Sequence, residues 1–404
     1  MPRILLLENP YESADEVLKR PGFEIVRIPS ALQGEDLIRA LQGVQILGIR
    51  SKTLLTREVI EASPDLQAVG AFCIGTNQID LHACNDHGIA VFNAPYANTR
   101  SVVELAISEA IALTRHVPEK NAALHEGIWE KSARGAHEVR GKTLGIVGYG
   151  SIGTQLSVLA EALGMRVIFY DISERLAMGN ARRVRSLNEL LAQSDIVSLH
   201  VDGRPSNVGF FGRTQFEQMK KGSILINLSR GSIVDMEALI EKLDDATLAG
   251  AGIDVFPEEP NANGDEFSSP LARFPNVILT PHIGGSTLEA QESIGYFVAG
   301  KLLDYWRKGA TELSVNIPSI ASGPSPSTLY RIAWIHRNTP GALAFVNKIF
   351  ADEGANIDRQ ILATSGQVGY MVTDISAELP DHAVDQMRSS DQNIRLRVLR
   401  RETA

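Results

Sequence analysis

The sequence predicts an α/β protein: two doubly wound parallel-sheet units followed by a small ferredoxin-like βαββαβ tail. Three observations carry that expectation. Short apolar runs alternate with helical patterns, as in parallel sheets whose strands are joined by crossover helices. The series restarts after one long helical stretch at about 101–127. A Ser/Pro/Gly-rich stretch, Ser319 to Ser327, then separates a final segment of about 75 residues with a different order of elements.

The elements follow in sequence. Ile4–Leu7, Ile25–Ile28, Ile46–Ile49, Leu66–Ala71 and Ala90–Phe92 read as buried strands, with helices such as Gly34–Leu41 and Arg57–Glu61 between them. After the helix at 101–127 come Thr143–Val147, Arg166–Tyr170, Ile196–Val201, Ser223–Asn227, Ala249–Ile253 and Val277–Leu279. A helix over Leu288–Lys308 ends before Asn316-Ile317-Pro318. In the tail, Tyr330–His336, Asn356–Thr364, Gln367–Ala377 and Ile394–Leu399 read as strands. Gly341–Glu353 and Asp381–Met387 read as its helices. No internal repeat or low-complexity tract is present.

Composition narrows the function class. The 404 residues carry a net charge of -9, which offers no broad basic field for a nucleic-acid partner. The one basic run, Arg395, Arg397, Arg400 and Arg401, reads as a solvated strand edge and a frayed tail. Two cysteines, Cys73 and Cys84, form neither a disulfide framework nor a zinc pattern, so no metal is expected. The N-terminal apolar run is too short for a signal segment and no stretch is long enough to span a membrane. A cytoplasmic location is the default expectation.

The most informative segment is Lys142 to Gly153, where Gly148, Gly150 and Gly153 stand in G-x-G-x-x-G spacing between a strand and a helix. The first glycine permits a tight turn, the second lets backbone approach a pyrophosphate, and the third lets the helix pack on the strand. The N–H groups of Ser151 and Ile152 then face phosphate oxygens at a helix N-terminus. The next strand ends at Asp171, whose carboxylate suits ribose hydroxyls and repels a 2′-phosphate. The expected cofactor is therefore NAD rather than NADP.

Oxidising a secondary alcohol by hydride transfer needs a proton acceptor and a cation for the acid's carboxylate. Arg230, Glu259 and His282 all follow the carboxyl ends of predicted strands and suit those roles. Spacing alone also fits a surface Arg230, a helix-capping Glu259 and a hydrogen-bonded loop His282.

Residues 71–77 (Ala-Phe-Cys-Ile-Gly-Thr-Asn), Asn93-Ala-Pro, Gly148–Gly153, Asn227-Leu-Ser-Arg-Gly-Ser, Gly252-Ile-Asp-Val-Phe and Pro281-His-Ile-Gly-Gly-Ser-Thr together resemble the D-2-hydroxyacid dehydrogenases. Within that family the chain is most similar to the short bacterial branch acting on 3-phospho-D-glycerate, with one C-terminal ACT domain. The resemblance covers essentially the whole chain. It implies that His282 is the acid/base, that Glu259 orients it, and that Arg230 binds the substrate carboxylate. It implies NAD contacts from Leu228, Ser229, Arg230, Asp254, His282, Ile283, Gly284 and Gly285, beside those of the glycine turn. Substrate contacts fall on Arg50, Ser51, Asn98, Arg100 and Ser101, with the arginines suited to a phosphate. It also implies a discontinuous substrate domain (1–98 and 288–318), a Rossmann NAD domain (99–287), a linker (319–329) and an ACT domain (330–404). Closure of a cleft between the two larger domains, and a homotetramer, follow from the same resemblance.

The tail's His336, Asn338 and Asn356 match the positions where the family's ACT domain binds L-serine as a feedback effector of serine biosynthesis. Two departures stand out. Arg337 replaces an expected acidic residue, and His200-Val-Asp lacks the family's usual proline. A 2-hydroxyglutarate/2-oxoglutarate side reaction is compatible with the site. Another 2-hydroxyacid dehydrogenase, or a non-enzymatic NAD-sensing protein on the same fold, are the competing readings.

Overall fold

A computed structural model of the chain describes residues 2–20, 22–260, 264–321, 323 and 328–400. The chain divides into two compact units, one formed by Met1–Ala97 with Gln291–Ala404 and the other by Asn98–Ala290.

The first unit holds a five-stranded parallel sheet of β1 (Arg3–Leu7), β2 (Glu24–Ile28), β3 (Ile46–Ile49), β4 (Ala68–Ala71) and β5 (Ala90–Phe92), in the order β2-β1-β3-β4-β5. Alternation sorts the side chains to two faces. Ile4, Leu6, Ile46 and Phe92 pack against Val298, Leu302 and Tyr305 of the helix Leu288–Lys308. Leu5, Leu7, Leu47 and Ile49 meet Leu37, Val59 and Ile60 on the other side. Both faces are covered, so the strands read as continuous apolar runs rather than alternating ones.

The second unit is a seven-stranded sheet, also all parallel. Its strands are β6 (Thr143–Val147), β7 (Arg166–Tyr170), β8 (Arg182–Arg183), β9 (Ile196–Leu199), β10 (Ser223–Asn227), β11 (Leu248–Ile253) and β12 (Val277–Leu279). The order β12-β11-β10-β9-β6-β7-β8 reverses direction between β6 and β9. A crevice opens at such a switch point beyond the carboxyl ends of the strands, and ligands bind there.

The helix expected over 101–127 is two helices, Thr99–Thr114 and Val117–His125. His116 between them takes a left-handed conformation (φ 55°), which no helix can continue through. The second helix has no buried residue, and it leads to Ile128 and Trp129, which are 55% and 80% exposed. Pro118, in the first turn of the second helix, is the local sequence feature at this break, since proline suits a helix start and not a helix interior.

The tail forms an antiparallel four-stranded sheet of β13 (Tyr330–Arg337), β14 (Ile357–Ser365), β15 (Val368–Ile375) and β16 (Asn393–Arg400), in the order β14-β15-β13-β16. One face packs Ile332, Trp334 and Met371 against the helices Ala342–Asp352 and Asp381–Arg388. The other face, with Ala333, Ile335, Tyr370 and Val372, joins the core around Leu302 and Tyr305. The tail therefore belongs to the first unit.

That packing overturns the reading of the basic run. Arg397 donates to the carbonyls of Tyr305 and Trp306 at 3.1 and 2.6 Å and lies over both rings. Arg395 donates twice to the His87 carbonyl. The guanidiniums add charge-assisted bonds to backbone carbonyls at these ends, of which the Tyr305 carbonyl also accepts from the Gly309 N–H at 2.9 Å. Arg400 stays exposed and pairs with Glu378, and Arg401 lies outside the described residues, as does most of the stretch 319–327. No described helix is long and apolar enough to cross a membrane.

Candidate active site

The glycine turn sits at the β6/β9 switch point. Gly148 has φ 91°, and a side chain there would stand 2.6 Å from the His200 carbonyl oxygen. A Cβ on Gly153 would lie 2.4 Å from the Gly148 carbonyl, so only glycine lets the helix Ser151–Ala162 start so close to the strand. A Cβ on Gly150 would meet no protein atom within 4 Å. Space is thus left open where a pyrophosphate needs contact with backbone, at a helix start with no side-chain cap. Tyr149 anchors the turn. Its ring stacks on Phe169 at 3.7 Å and its hydroxyl bonds Ser157.

Asp171 is buried at the end of β7 and accepts from the Tyr149 and Ser173 N–H groups, both at 2.8 Å. Those bonds hold the carboxylate at the mouth of the turn. Oδ2 is also 3.5 Å from the Arg175 guanidinium, and Oδ1 keeps a lone pair for a ribose hydroxyl. Together the open Gly150 and the fixed Asp171 fit a dinucleotide.

Arg230, Glu259 and His282 come from three loops at the same end of the sheet. Asn227 accepts from the Ser229 N–H and hydroxyl and donates to the Arg230 carbonyl, which folds the β10 loop back on itself. Gly231 then lies against the Phe256 backbone, where any Cβ would overlap the carbonyl group. This contact brings the Arg230 loop beside the Glu259 loop.

Asp254, 1% exposed, organises the third loop. It accepts from the Thr280 hydroxyl at 2.6 Å and from the N–H groups of Ile283 and Gly284 at 2.8 Å, while its own carbonyl accepts from the His282 N–H. His282 adopts φ 53° under this hold. Backbone strain at a non-glycine residue persists only where surrounding bonds impose it.

The His282 Nδ1 donates to Glu259 Oε2 at 2.8 Å, and Glu259 Oε1 accepts from the Phe256 N–H at 3.1 Å. The imidazole pKa is raised by that hydrogen bond, with burial opposing it. Burial pushes the Glu259 carboxyl up, but the His282 and Phe256 bonds outweigh it and hold it below the ordinary range. One ring nitrogen is thereby fixed as a donor, and Nε2 is the atom available to a ligand.

Asn98 and Ser101 open the helix Thr99–Thr114 and face the loop after His282. The Asn98 amide lies against Gly285, and the Ser101 hydroxyl bonds that of Thr287 at 2.8 Å. Arg100 is exposed and pairs with Glu104 at 2.6 Å. In the first unit, Arg50 donates to Gln291 at 3.0 Å and Ser51 is exposed. Their loop wraps the Glu8 carboxylate, which accepts from the N–H groups of Arg50, Lys52 and Thr53.

The three tail residues are not brought together within one chain. His336 is buried, stacked on Trp334, with Nδ1 bonded to the Arg337 carbonyl. Asn338 lies at the β14–β15 turn and donates to the Gly366 carbonyl. Asn356 precedes Ile357, which pairs with Ile375 at the opposite end of the sheet. A strand of eight or so residues separates them by roughly 25 Å.

Sequence reasoning assigned no role to Glu8, Tyr149, Asn227 or Thr280. Glu8 and Thr280 act on partners distant in the chain, and Tyr149 through its buried ring, whereas Asn227 bonds its near neighbours Ser229 and Arg230. Gly231, next to Arg230, was a visible hint of close backbone approach.

Comparison with known proteins agrees with this geometry. Residues 107–284 match the model of the D-isomer specific 2-hydroxyacid dehydrogenase NAD binding domain, and 332–392 match an AHAS small subunit-like ACT domain. The chain is 50% identical to the D-3-phosphoglycerate dehydrogenase of Haemophilus influenzae, over 98% of its own length and 97% of that protein. It is likewise 50% identical to the D-3-phosphoglycerate dehydrogenase of Escherichia coli strain K12, with the same coverage. The solved structure of D-2-hydroxyisocaproate dehydrogenase superposes with a TM-score of 0.70 at 27% identity, covering 78% of this chain and 99% of the other. With a glycine turn, a buried aspartate at its mouth and a Glu259-held His282 on one sheet end, and full-length relatives at half identity, the chain belongs to the NAD-dependent D-isomer specific 2-hydroxyacid dehydrogenases, in their D-3-phosphoglycerate dehydrogenase branch.

Proposed function

We propose that this NAD-dependent oxidoreductase converts 3-phospho-D-glycerate to 3-phosphooxypyruvate, the first step of a phosphorylated route to L-serine. The observation that carries the reading is the His282–Glu259 pair, held by Asp254 at the strand ends where the glycine turn lies. NAD, held at the glycine turn and Asp171, would supply the hydride acceptor for C2. His282 Nε2 takes the C2 hydroxyl proton as the carbonyl forms. The Glu259 carboxylate then stabilises the imidazolium and fixes its orientation. Arg230 neutralises the substrate carboxylate and polarises the forming carbonyl oxygen. Leu228, Ser229, Ile283, Gly284 and Gly285 line the nicotinamide side. Arg50, Ser51, Asn98, Arg100 and Ser101 are the substrate contacts, with the arginines assigned to the phosphate.

We assign the tail to L-serine feedback. His336 and Asn338 face one end of the sheet and Asn356 the other, so a second chain pairing on the β14 edge in antiparallel sense supplies the missing amide. The exposed Leu124, Ile128 and Trp129 suit a second subunit contact, and a homotetramer follows from two such contacts. The functional division of the chain into substrate, NAD and ACT domains, and a cytoplasmic location, go with this reading.

NADH-coupled assays on phosphooxypyruvate and on hydroxypyruvate, with and without L-serine, test it. Preferred turnover of the phosphorylated acid, lowered by serine, is expected. Preference for hydroxypyruvate would refute the substrate, and indifference to serine would refute the effector.

A further inference from the structure

The second unit has a cavity of about 510 Å³ at the end of its sheet opposite the glycine turn. Its walls come from the residues that start β6, β9, β10 and β11, and from the end of the helix Thr99–Thr114. The lining is notable for its charge. Lys142 precedes β6, Lys220 and Lys221 precede β10, and His116 and His137 close one side. One acid, Asp195, faces them.

That acid is already committed. One of its oxygens accepts from the Thr143 N–H at 2.8 Å and the other is bonded to the Lys220 ammonium. Among the described residues, Lys142 and Lys221 have no acidic partner within ion-pair distance. The carbonyl of Thr114 at the helix end, which would otherwise attract a cation, accepts from the His137 N–H at 3.0 Å. Asp195 is also within the field of Lys142, so the lining sets the ammoniums of Lys142, Lys220 and Lys221 against one carboxylate, in a chain whose net charge is -9. An excess of like charge around one cavity favours an anion entering it. The floor is different in kind, being made by Leu113, Ile196, Ile224 and Ala249.

We propose that this cavity binds a small organic phosphate, with the dianion between Lys142 and Lys221 and the carbon body on the apolar floor. Lysine ammoniums act as point charges toward phosphate oxygens and need no fixed fork geometry. A volume of this size takes a metabolite rather than a bare ion. The site lies one strand length from the dinucleotide turn, at the amino ends of the strands, so it is separate from the cofactor's own phosphate contacts.

The test is calorimetric titration of the full-length protein with phenyl phosphate and, separately, inorganic phosphate, both at saturating NADH. Phenyl phosphate binding that survives NADH, exceeds inorganic phosphate by about tenfold, and falls at least tenfold in Lys142→Gln/Lys221→Gln is expected. NADH affinity should be unchanged in that variant, which also shows that the unit is folded. If the double variant loses NADH binding, Lys221→Gln alone, on an exposed turn, takes its place. Three results overturn the proposal: no binding at millimolar ligand, displacement by NADH, or equal affinity in wild type and variant. Equal affinity for phenyl and inorganic phosphate overturns the organic class.

Discussion

Replacing Glu109 with glutamine should remove a loss of stability that the wild-type protein suffers as pH rises. Glu109 is 2% exposed on the helix Thr99–Thr114, and neither carboxyl oxygen has a hydrogen-bonding partner among the described residues. It presses on β11 so closely that a Cβ on Gly252 would lie 2.2 Å from its Oε2. Burial, and then the charge of Asp254 just past the end of that strand, raise its pKa from 4.5 to about 8. The folded state therefore holds a proton that the unfolded chain has released. Stability is fully present below pH 4.5 and is lost as pH rises to about 8. At 1.36 kcal/mol per pH unit, the loss across that window is ~4–5 kcal/mol.

Glutamine has the same shape and no such titration. The unmatched amide costs about 1–3 kcal/mol, but it costs the same at every pH. The difference between wild type and variant should thus move by ~3–5 kcal/mol in favour of the variant between pH 5 and pH 8.5. Because the chain has two units, the readout should be local: hydrogen exchange of β10 and β11 amides, corrected for intrinsic rates, at both pH values. A difference that stays constant with pH would refute the assignment of a protonated Glu109.

Four further outcomes are expected. His282→Ala should lower turnover by about 10²–10⁴-fold with NADH binding retained, and near-normal turnover in stopped-flow assays would remove it as acid/base. Glu259→Gln takes away the bond that raises the His282 pKa, so the acid limb of the kcat/KM profile for alcohol oxidation, which needs a neutral imidazole, should move to lower pH; an unmoved limb counts against the pair. Gly153→Ala places a Cβ 2.4 Å from the Gly148 carbonyl and should weaken NADH at least tenfold by calorimetry, whereas unchanged affinity would show that the turn has slack. Arg397→Met loses two charge-assisted bonds to backbone carbonyls and should cost ~2–4 kcal/mol, seen as faster exchange in β16 and at the end of the helix Leu288–Lys308; a change under about 0.5 kcal/mol would mean that the guanidinium is solvated after all.

Much of the site was legible before the fold. Gly148, Gly150, Gly153 and Asp171 follow from spacing, because a backbone that must approach both a phosphate and a neighbouring helix tolerates few side chains. The strands were legible because a sheet covered on both faces needs unbroken apolar runs. His282, Glu259 and Arg230 were readable as candidates by position after strands. Their meeting was not, since it depends on Asp254 pinning one loop and Gly231 touching Phe256.

The sequence by itself determined the period of each element, the chemistry of the turn between β6 and its helix, and which side chains were available at strand ends. Tertiary structure decided what each face meets. Arg397 reads as surface charge until the helix end at Tyr305 and Trp306 arrives beneath it. Glu109 reads as one more polar residue on a helix until β11, stripped to glycine at 252, closes over it. Asn356 reads as a neighbour of Asn338 until the register of β14 carries it to the far end of the sheet. Local patterns encode which groups face inward. Only packing brings residues far apart in sequence together, and so sets desolvation, pairing and pKa.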